Sequence, residues 1–176
     1  MEIKSEYGYV LFIAVFLYLH QQLILVIPVI KNRKSTGINA PTLYPRDSEI
    51  SKLKLTEEQV DQYLRAQRAH QNNVELTSVF MPLFLIVGLF EPKKTAIAGM
   101  VVLLFRILGG IGYLKGKRMI GAGFHLGELY ILYLAFKIAY NQIYKLNTDS
   151  REMTGGRNIG IDYTKFYNDL NTVDSL

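Results

Sequence analysis

The chain has 176 residues, of which 49% are hydrophobic and 20% charged, and its formal net charge is +5. It contains no cysteine, which excludes disulfide scaffolds, thiolate metal sites, cysteine nucleophiles and iron–sulfur clusters. The apolar fraction is too high for a disordered or collagen-like chain. These averages resemble a mildly basic soluble domain, but the charges are distributed very unevenly along the sequence.

Four long apolar segments account for the uneven distribution. Residues 7–30 lack Lys, Arg, Asp and Glu, and as a helix they would extend roughly 36 Å, enough to cross a bilayer core. This segment also lacks the polar stripe that each helix of a soluble bundle carries. We therefore predict an all-α integral membrane four-helix bundle, with spans over 7–30, 67–90, 95–114 and 119–140.

The connections between the spans support this arrangement. Loop one, residues 31–66, is long and polar, whereas the other two connections are tight turns, so neighbouring helices run antiparallel. Thr56 followed by Gln59 is typical of a capping box, which predicts that the second helix begins ahead of the membrane. Residues 147–176 have the polar composition of a flexible C-terminal tail.

The basic residues indicate the orientation of the spans. Loops one and three hold ten of the twenty Lys and Arg residues, whereas the termini and loop two hold seven. By the positive-inside rule, loops one and three lie on the cytosolic or an equivalent side. Because the basic residues flank membrane spans, the expected partner is the lipid bilayer and not a nucleic acid.

Several polar residues interrupt the apolar spans and share helix faces. Arg68, Asn72 and Glu75 are spaced i, i+4 and i+7, and Arg106 and Tyr113 are seven apart on the next helix. Ionisable groups at membrane depth are costly and are functional candidates. The two faces suit a small zwitterion, because arginines clamp carboxylates and Glu75 can receive an ammonium. The alternative is an Arg–Glu pair that ties two helices together.

The second predicted span begins with a distinctive run. Residues 67–75 read Gln-Arg-Ala-His-Gln-Asn-Asn-Val-Glu and closely resemble the helix-two signature of the MAPEG superfamily, the membrane-associated proteins in eicosanoid and glutathione metabolism. The run is most similar to the microsomal glutathione transferase 3 branch. Weaker likenesses at residues 31–34, 40–44, 105–106 and 112–113 extend the resemblance over about residues 5–140.

The resemblance implies a ligand, an assembly and a set of site residues. It implies a homotrimer that binds glutathione as co-substrate between neighbouring subunits, near the cytosolic face. Basic residues at the end of the first helix would reach the neighbour's ligand, and an arginine near the turn between helices three and four would stabilise the glutathione thiolate. The matching positions are Arg68, Asn72, Glu75, Arg106 and Tyr113 for glutathione, Lys31, Arg33 and Lys34 for the neighbour's ligand, and Arg118 for the thiolate.

The function implied is a membrane-bound glutathione transferase or peroxidase that acts on lipophilic electrophiles or lipid hydroperoxides, in the endoplasmic reticulum or a mitochondrial membrane. Three positions depart from the family pattern. Gly109 stands where leukotriene-synthesising members have a ligand tyrosine, Leu76 replaces an aromatic after Glu75, and the turn before Arg118 is short. These departures motivate an alternative, a non-catalytic MAPEG-fold subunit of a larger membrane complex. A lipid- or eicosanoid-binding regulator is a third hypothesis.

Two further polar clusters lie inside the spans. His125 and Glu128 are one helical turn apart in the fourth span, where we expect a hydrogen-bonded contact between helices in preference to a metal pair. No metal is assigned to this chain. His20, Gln21 and Gln22 in the first span predict another polar contact or a patch that faces the rest of a trimer.

Overall fold

A computed structural model describes residues 3–155, without the side chains of Arg118 and of residues 147–155. All regular secondary structure in this part of the chain is helical, which confirms the all-α prediction. A π-helical turn, His20–Ile24, joins the first two helices, and a 3₁₀ turn, Arg118–Gly121, precedes the last. The α-helices are α1 (Tyr7–Leu19), α2 (Val26–Thr36), α3 (Asp47–Leu53), α4 (Glu57–Phe90), α5 (Pro92–Leu114) and α6 (Phe124–Gly155).

Four helical segments are long and apolar enough to cross a membrane: Tyr7–Thr36, Glu57–Phe90, Pro92–Leu114 and Met119–Leu146. They direct large apolar side chains outward, and Val79, for example, is 76% exposed. A soluble protein would bury such residues, whereas a bilayer provides an apolar surrounding for them. These features are those of an integral membrane protein.

The long helix α4 begins well ahead of the apolar part of its span. The Gln59 backbone N–H donates to Thr56 Oγ1 at 3.3 Å, and the Thr56 N–H donates to Gln59 Oε1 at 2.9 Å. These two bonds satisfy donors that a helix start leaves unpaired. The predicted capping box is thus confirmed, and it fixes the start of α4 at Glu57.

Helix α5 packs against α1, α4 and the 3₁₀ turn. Small residues set the distances between these helices. A Cβ on Gly127 of α6 would lie 2.5 Å from the Ala98 carbonyl oxygen of α5. Because Gly127 has no side chain, the backbones of α5 and α6 approach closely, as is common in membrane helix bundles.

The chain divides into two compact units, Met1–Phe136 and Lys137–Leu176. The first contains α1 to α5 and the beginning of α6. The second contains the continuation of α6 to Gly155, in which the rings of Tyr140 and Tyr144 stack with their centroids 6.4 Å apart. The remainder of the predicted tail, residues 156–176, lies outside the described residues.

Candidate functional site

The predicted face of α4 lies on the outside of the chain. Arg68, Asn72 and Glu75 are all exposed, as their shared helical face requires. Gln71 connects this face to loop one, because its amide donates to Glu75 Oε1 at 3.2 Å and accepts a hydrogen bond from the Tyr44 hydroxyl at 3.0 Å. The Arg68 guanidinium lies 5.5 Å from the centre of the Tyr44 ring. A loop-one aromatic and an amide therefore hold both charges in place.

Arg106 of α5 is buried, and it connects α5 to α4. Its Nε donates to Asn73 Oδ1 at 2.8 Å, and its Nη1 donates to Asn72 Oδ1 at 3.0 Å. The Asn73 amide donates in turn to Gln21 Oε1 in the π-helical turn. One chain of polar contacts thus crosses three spans and fixes the guanidinium, and Gln21 makes the polar contact that the sequence predicted for its segment.

A cavity of about 370 Å³ lies beside Arg106. This volume is within the range of small-molecule sites in proteins. Three predicted site residues, Asn72, Arg106 and Tyr113, contribute to its wall. The other residues of the wall are Leu25, Ala69, Phe105, Gly109, Gly110, Met119, Gly121, Ala122, Phe124 and His125. A few polar groups thus converge on a largely apolar pocket, which is the usual composition of a binding site.

Glycines shape the floor of this cavity. A Cβ on Gly109 would lie 3.1 Å from the Gly121 Cα, and a Cβ on Gly121 would lie 3.0 Å from the Phe105 carbonyl oxygen. Residue 109 of α5 therefore packs directly against the backbone of the turn that leads into α6. A tyrosine at position 109 would require this turn to move away, which gives a physical reason for the departure noted at Gly109.

Arg33, at the end of α2, is engaged within its own chain. Its Nη2 donates to the Thr42 carbonyl oxygen at 2.8 Å, and its guanidinium lies 5.6 Å from the centre of the Tyr63 ring. The Tyr63 hydroxyl donates to the same carbonyl oxygen at 2.6 Å. Arg33 thus holds loop one against α4 and does not join the cavity residues, whereas Lys34 beside it is exposed.

Arg118 is the first residue of the 3₁₀ turn, and its side chain lies outside the described part of the chain. The turn itself contributes Met119 and Gly121 to the cavity wall. The backbone of the predicted thiolate-stabilising residue therefore adjoins the cavity.

Asn73 and His125 lie in this region but are not among the predicted site residues. Asn73 lies within residues 67–75, directly after the predicted ligand Asn72. The sequence predicts that His125 and Glu128 form a contact between helices, whereas the structure bonds the two within α6, with His125 Nδ1 and Glu128 Oε2 2.8 Å apart. Their i, i+3 spacing was the available signal, because it places two side chains on one face. His125 also lies in the cavity wall.

A comparison with protein-family models matches residues 10–144 to the MAPEG family. The match covers well over half of the chain and includes the α4 face, the α5 residues and the turn before α6.

Proposed function

The chain belongs to the MAPEG family, and from this premise we propose that it is a membrane-bound glutathione transferase or peroxidase of the microsomal glutathione transferase 3 type. Its second substrate is a lipophilic electrophile or a lipid hydroperoxide. The observation that carries the proposal is the convergence of Asn72, Arg106 and Tyr113 on one cavity. These are three of the positions that match glutathione ligands in the family.

The chemistry of glutathione fits the polar groups on and around the cavity. The tripeptide has two carboxylates, one ammonium and one thiol. Arg106 and Arg68 supply two guanidinium groups for the carboxylates, and Glu75 supplies a carboxylate for the ammonium. Tyr113 supplies a hydroxyl beside the apolar part of the wall, where the thiol would meet a lipophilic substrate.

The exposed face of α4 supports a homotrimer as the functional assembly. Arg68 and Glu75 lie on the outside of one chain, and charges near membrane depth require partners. A neighbouring subunit would cover this face and complete the site. Lys34 is better placed than Arg33 to reach the neighbour's ligand, because Arg33 already bonds the Thr42 carbonyl oxygen of its own loop.

Thiolate formation requires a cation close to sulfur, because a positive charge lowers the thiol pKa and so raises the fraction of nucleophile. We assign this role to Arg118, at the start of the turn that borders the cavity. The thiolate would attack a carbon of the electrophile or an oxygen of the hydroperoxide.

The proposed orientation places loops one and three on the cytosolic side of the endoplasmic reticulum or a mitochondrial membrane. Glutathione then enters from water at the loop side, and the lipophilic substrate enters from the bilayer. The basic residues of both loops favour this side and attract an anionic ligand.

The proposal is tested with the full chain in lipid nanodiscs. Calorimetry measures glutathione binding, and two assays measure conjugation of chlorodinitrobenzene and reduction of cumene hydroperoxide. We expect binding, and turnover in at least one assay. Arg106→Lys keeps the charge but loses the planar fork, so it should weaken glutathione binding about tenfold, equivalent to about 1.4 kcal/mol.

Arg118→Ala separates catalysis from binding. It should lower the rate about 100-fold while the glutathione Kd changes less than threefold, because the cation acts on the thiolate. Lys52→Ala, on the exposed face of α3 in loop one, is the matched loss of one positive charge and should leave both quantities unchanged. A wild-type chain that binds no glutathione would contradict the proposal.

A further inference from the structure

One residue of the cavity wall, His125, belongs to a carboxylate–imidazole pair that the proposed chemistry does not yet use. His125 Nδ1 lies 2.8 Å from Glu128 Oε2, one turn further along α6. His125 is among the residues that line the cavity, together with Arg106 and Tyr113. The pair is accessible, since the side chains of His125 and Glu128 are 61% and 31% exposed.

An aromatic ring places the pair next to the buried arginine. The rings of Phe124 and His125 have centroids 3.9 Å apart, and the Arg106 guanidinium lies 4.9 Å from the centre of the same Phe124 ring. The His125 imidazole and the Arg106 guanidinium therefore both lie against the Phe124 ring, beside one cavity. Contact with this apolar ring limits the orientations of the two side chains.

The bond to Glu128 determines what the imidazole can do. A carboxylate at Nδ1 favours the tautomer with the proton on that nitrogen, and it leaves the Nε2 lone pair free to accept a proton. Enzymes that activate a nucleophile commonly use a base that a further group orients. Here His125 would be the base and Glu128 the orienting group.

We propose that His125 is the catalytic base and acid of this site and that Glu128 is its positioning residue. The inference rests on the proposed function and assigns the path of the proton. The glutathione S–H bond breaks, its proton moves to Nε2 of His125, and the electron pair stays on sulfur. The thiolate then forms a C–S bond as the leaving group departs with its own electron pair.

The nature of the leaving atom decides whether the proton is needed again. Chloride departs from chlorodinitrobenzene without a proton, and His125 then releases its proton to water. When an epoxide opens, the C–O bond breaks and the alkoxide oxygen takes the proton from Nε2 of His125. An epoxide therefore requires His125 twice, and chlorodinitrobenzene requires it once.

The test uses the full chain in nanodiscs with glutathione and two electrophiles, chlorodinitrobenzene and styrene oxide. His125→Gln should lower kcat/KM for chlorodinitrobenzene about 100-fold at neutral pH, within the usual range for a lost general base. The loss for styrene oxide should be at least tenfold greater. The Kd of glutathione should change less than threefold, and the ultraviolet absorbance of the bound thiolate should fall at neutral pH.

The pH profile gives a readout that a merely structural role would not change. In the His125→Gln variant, the chlorodinitrobenzene rate should recover as pH rises and the thiol ionises by itself. Among the described side chains, the charged or titratable groups that share the cavity wall with His125 are Arg106 and Tyr113 of α5, and both remain in the variant. Glu128→Gln keeps a hydrogen-bonding side chain without the charge, so it should shift the profile by less than the loss of His125.

His70→Gln is the matched control, because it removes a histidine from the opposite side of α4 relative to Arg68, and it should leave the rates unchanged. His125→Asn is a second variant that guards against a folding defect of His125→Gln. Wild-type rates and pH profile in either folded His125 variant would overturn the inference while the proposed function stands. A wild-type chain that binds no glutathione would overturn both.

Discussion

Two adjacent asparagines of α4 have different environments. Asn73 is 1% exposed and bonds both Arg106 Nε and Gln21 Oε1, whereas Asn72 is exposed and receives one bond from Arg106 Nη1. Asn73 therefore joins three spans, and Asn72 presents its amide at the cavity. One residue of the pair connects the spans, and the other lines the cavity.

Alanine substitutions should separate these roles. Asn73→Ala leaves a buried guanidinium N–H and a buried amide oxygen without their partner, and it should destabilise the chain by about 1–3 kcal/mol. Asn72→Ala should cost less stability but weaken glutathione binding. Thermal unfolding in detergent and calorimetry measure the two effects. Equal losses of stability in both variants would contradict this division.

The contact between Gly109 and Gly121 gives a second prediction at the level of single residues. A Cβ on Gly121 would press on the Gly109 backbone and on the Phe105 carbonyl oxygen, neither of which can rotate away. Gly121→Ala should therefore destabilise the chain by about 1–3 kcal/mol, the usual cost of overpacking. Gly8→Ala is the control, since a Cβ there meets no atom within 4 Å. A loss at position 8 equal to that at 121 would refute the steric explanation.

Among the secondary-structure elements, the start of α4 and the π-helical turn show what local sequence can predict. The capping box is formed by Thr56 and Gln59 alone. Because these residues are only three positions apart in the sequence, the sequence is enough to predict it. The π-helical turn is different, because the Leu25 N–H bonds the His20 carbonyl oxygen at 3.1 Å and no comparable motif marks this turn in the sequence. The sequence indicates a polar contact at this turn. That Asn73 is the partner of Gln21 depends on how the first span and α4 align, which the sequence does not show.

The cap of α4 can be tested without disturbing the membrane part. Thr56→Ala removes the side-chain acceptor and should destabilise the first turn by about 0.5–2 kcal/mol, whereas Thr56→Ser keeps the hydroxyl and should be nearly neutral. Hydrogen exchange of the Gln59 and Val60 amides should become faster in the alanine variant. Unchanged exchange would mean that loop one holds this turn through other contacts.

At the scale of the whole molecule, the four spans were predictable and the cavity was not. A membrane span is a continuous run of about 20 apolar residues, because the bilayer thickness sets its length, so it is visible in the sequence. The cavity takes its wall from residues between Leu25 and His125, so it exists only once the helices pack. Arg33 illustrates the same limit, since its bond to the Thr42 carbonyl oxygen depends on the path of loop one.

The ends of the spans are paired as a four-span chain requires. Lys93 Nζ lies 3.4 Å from Glu6 Oε1, which places loop two beside the N-terminal residues. At the other end, a Cβ on Gly116 of loop three would lie 2.7 Å from Arg65 Nη1, near the start of α4. Loops one and three therefore share one end of the bundle, and the positive-inside rule predicts that this end is cytosolic.

The absence of native cysteine makes this orientation directly measurable, because any introduced thiol is labelled without background. We expect an impermeant maleimide to reach Lys52→Cys and Lys117→Cys from the cytosolic side of sealed membranes, and Lys93→Cys from the opposite side only. The substituted side chains are exposed, so each variant should fold. Labelling of positions 93 and 117 from one side would contradict four spans. A reversed but consistent pattern would keep the spans and overturn the orientation, because the basic residues of loops one and three would then face away from the cytosol.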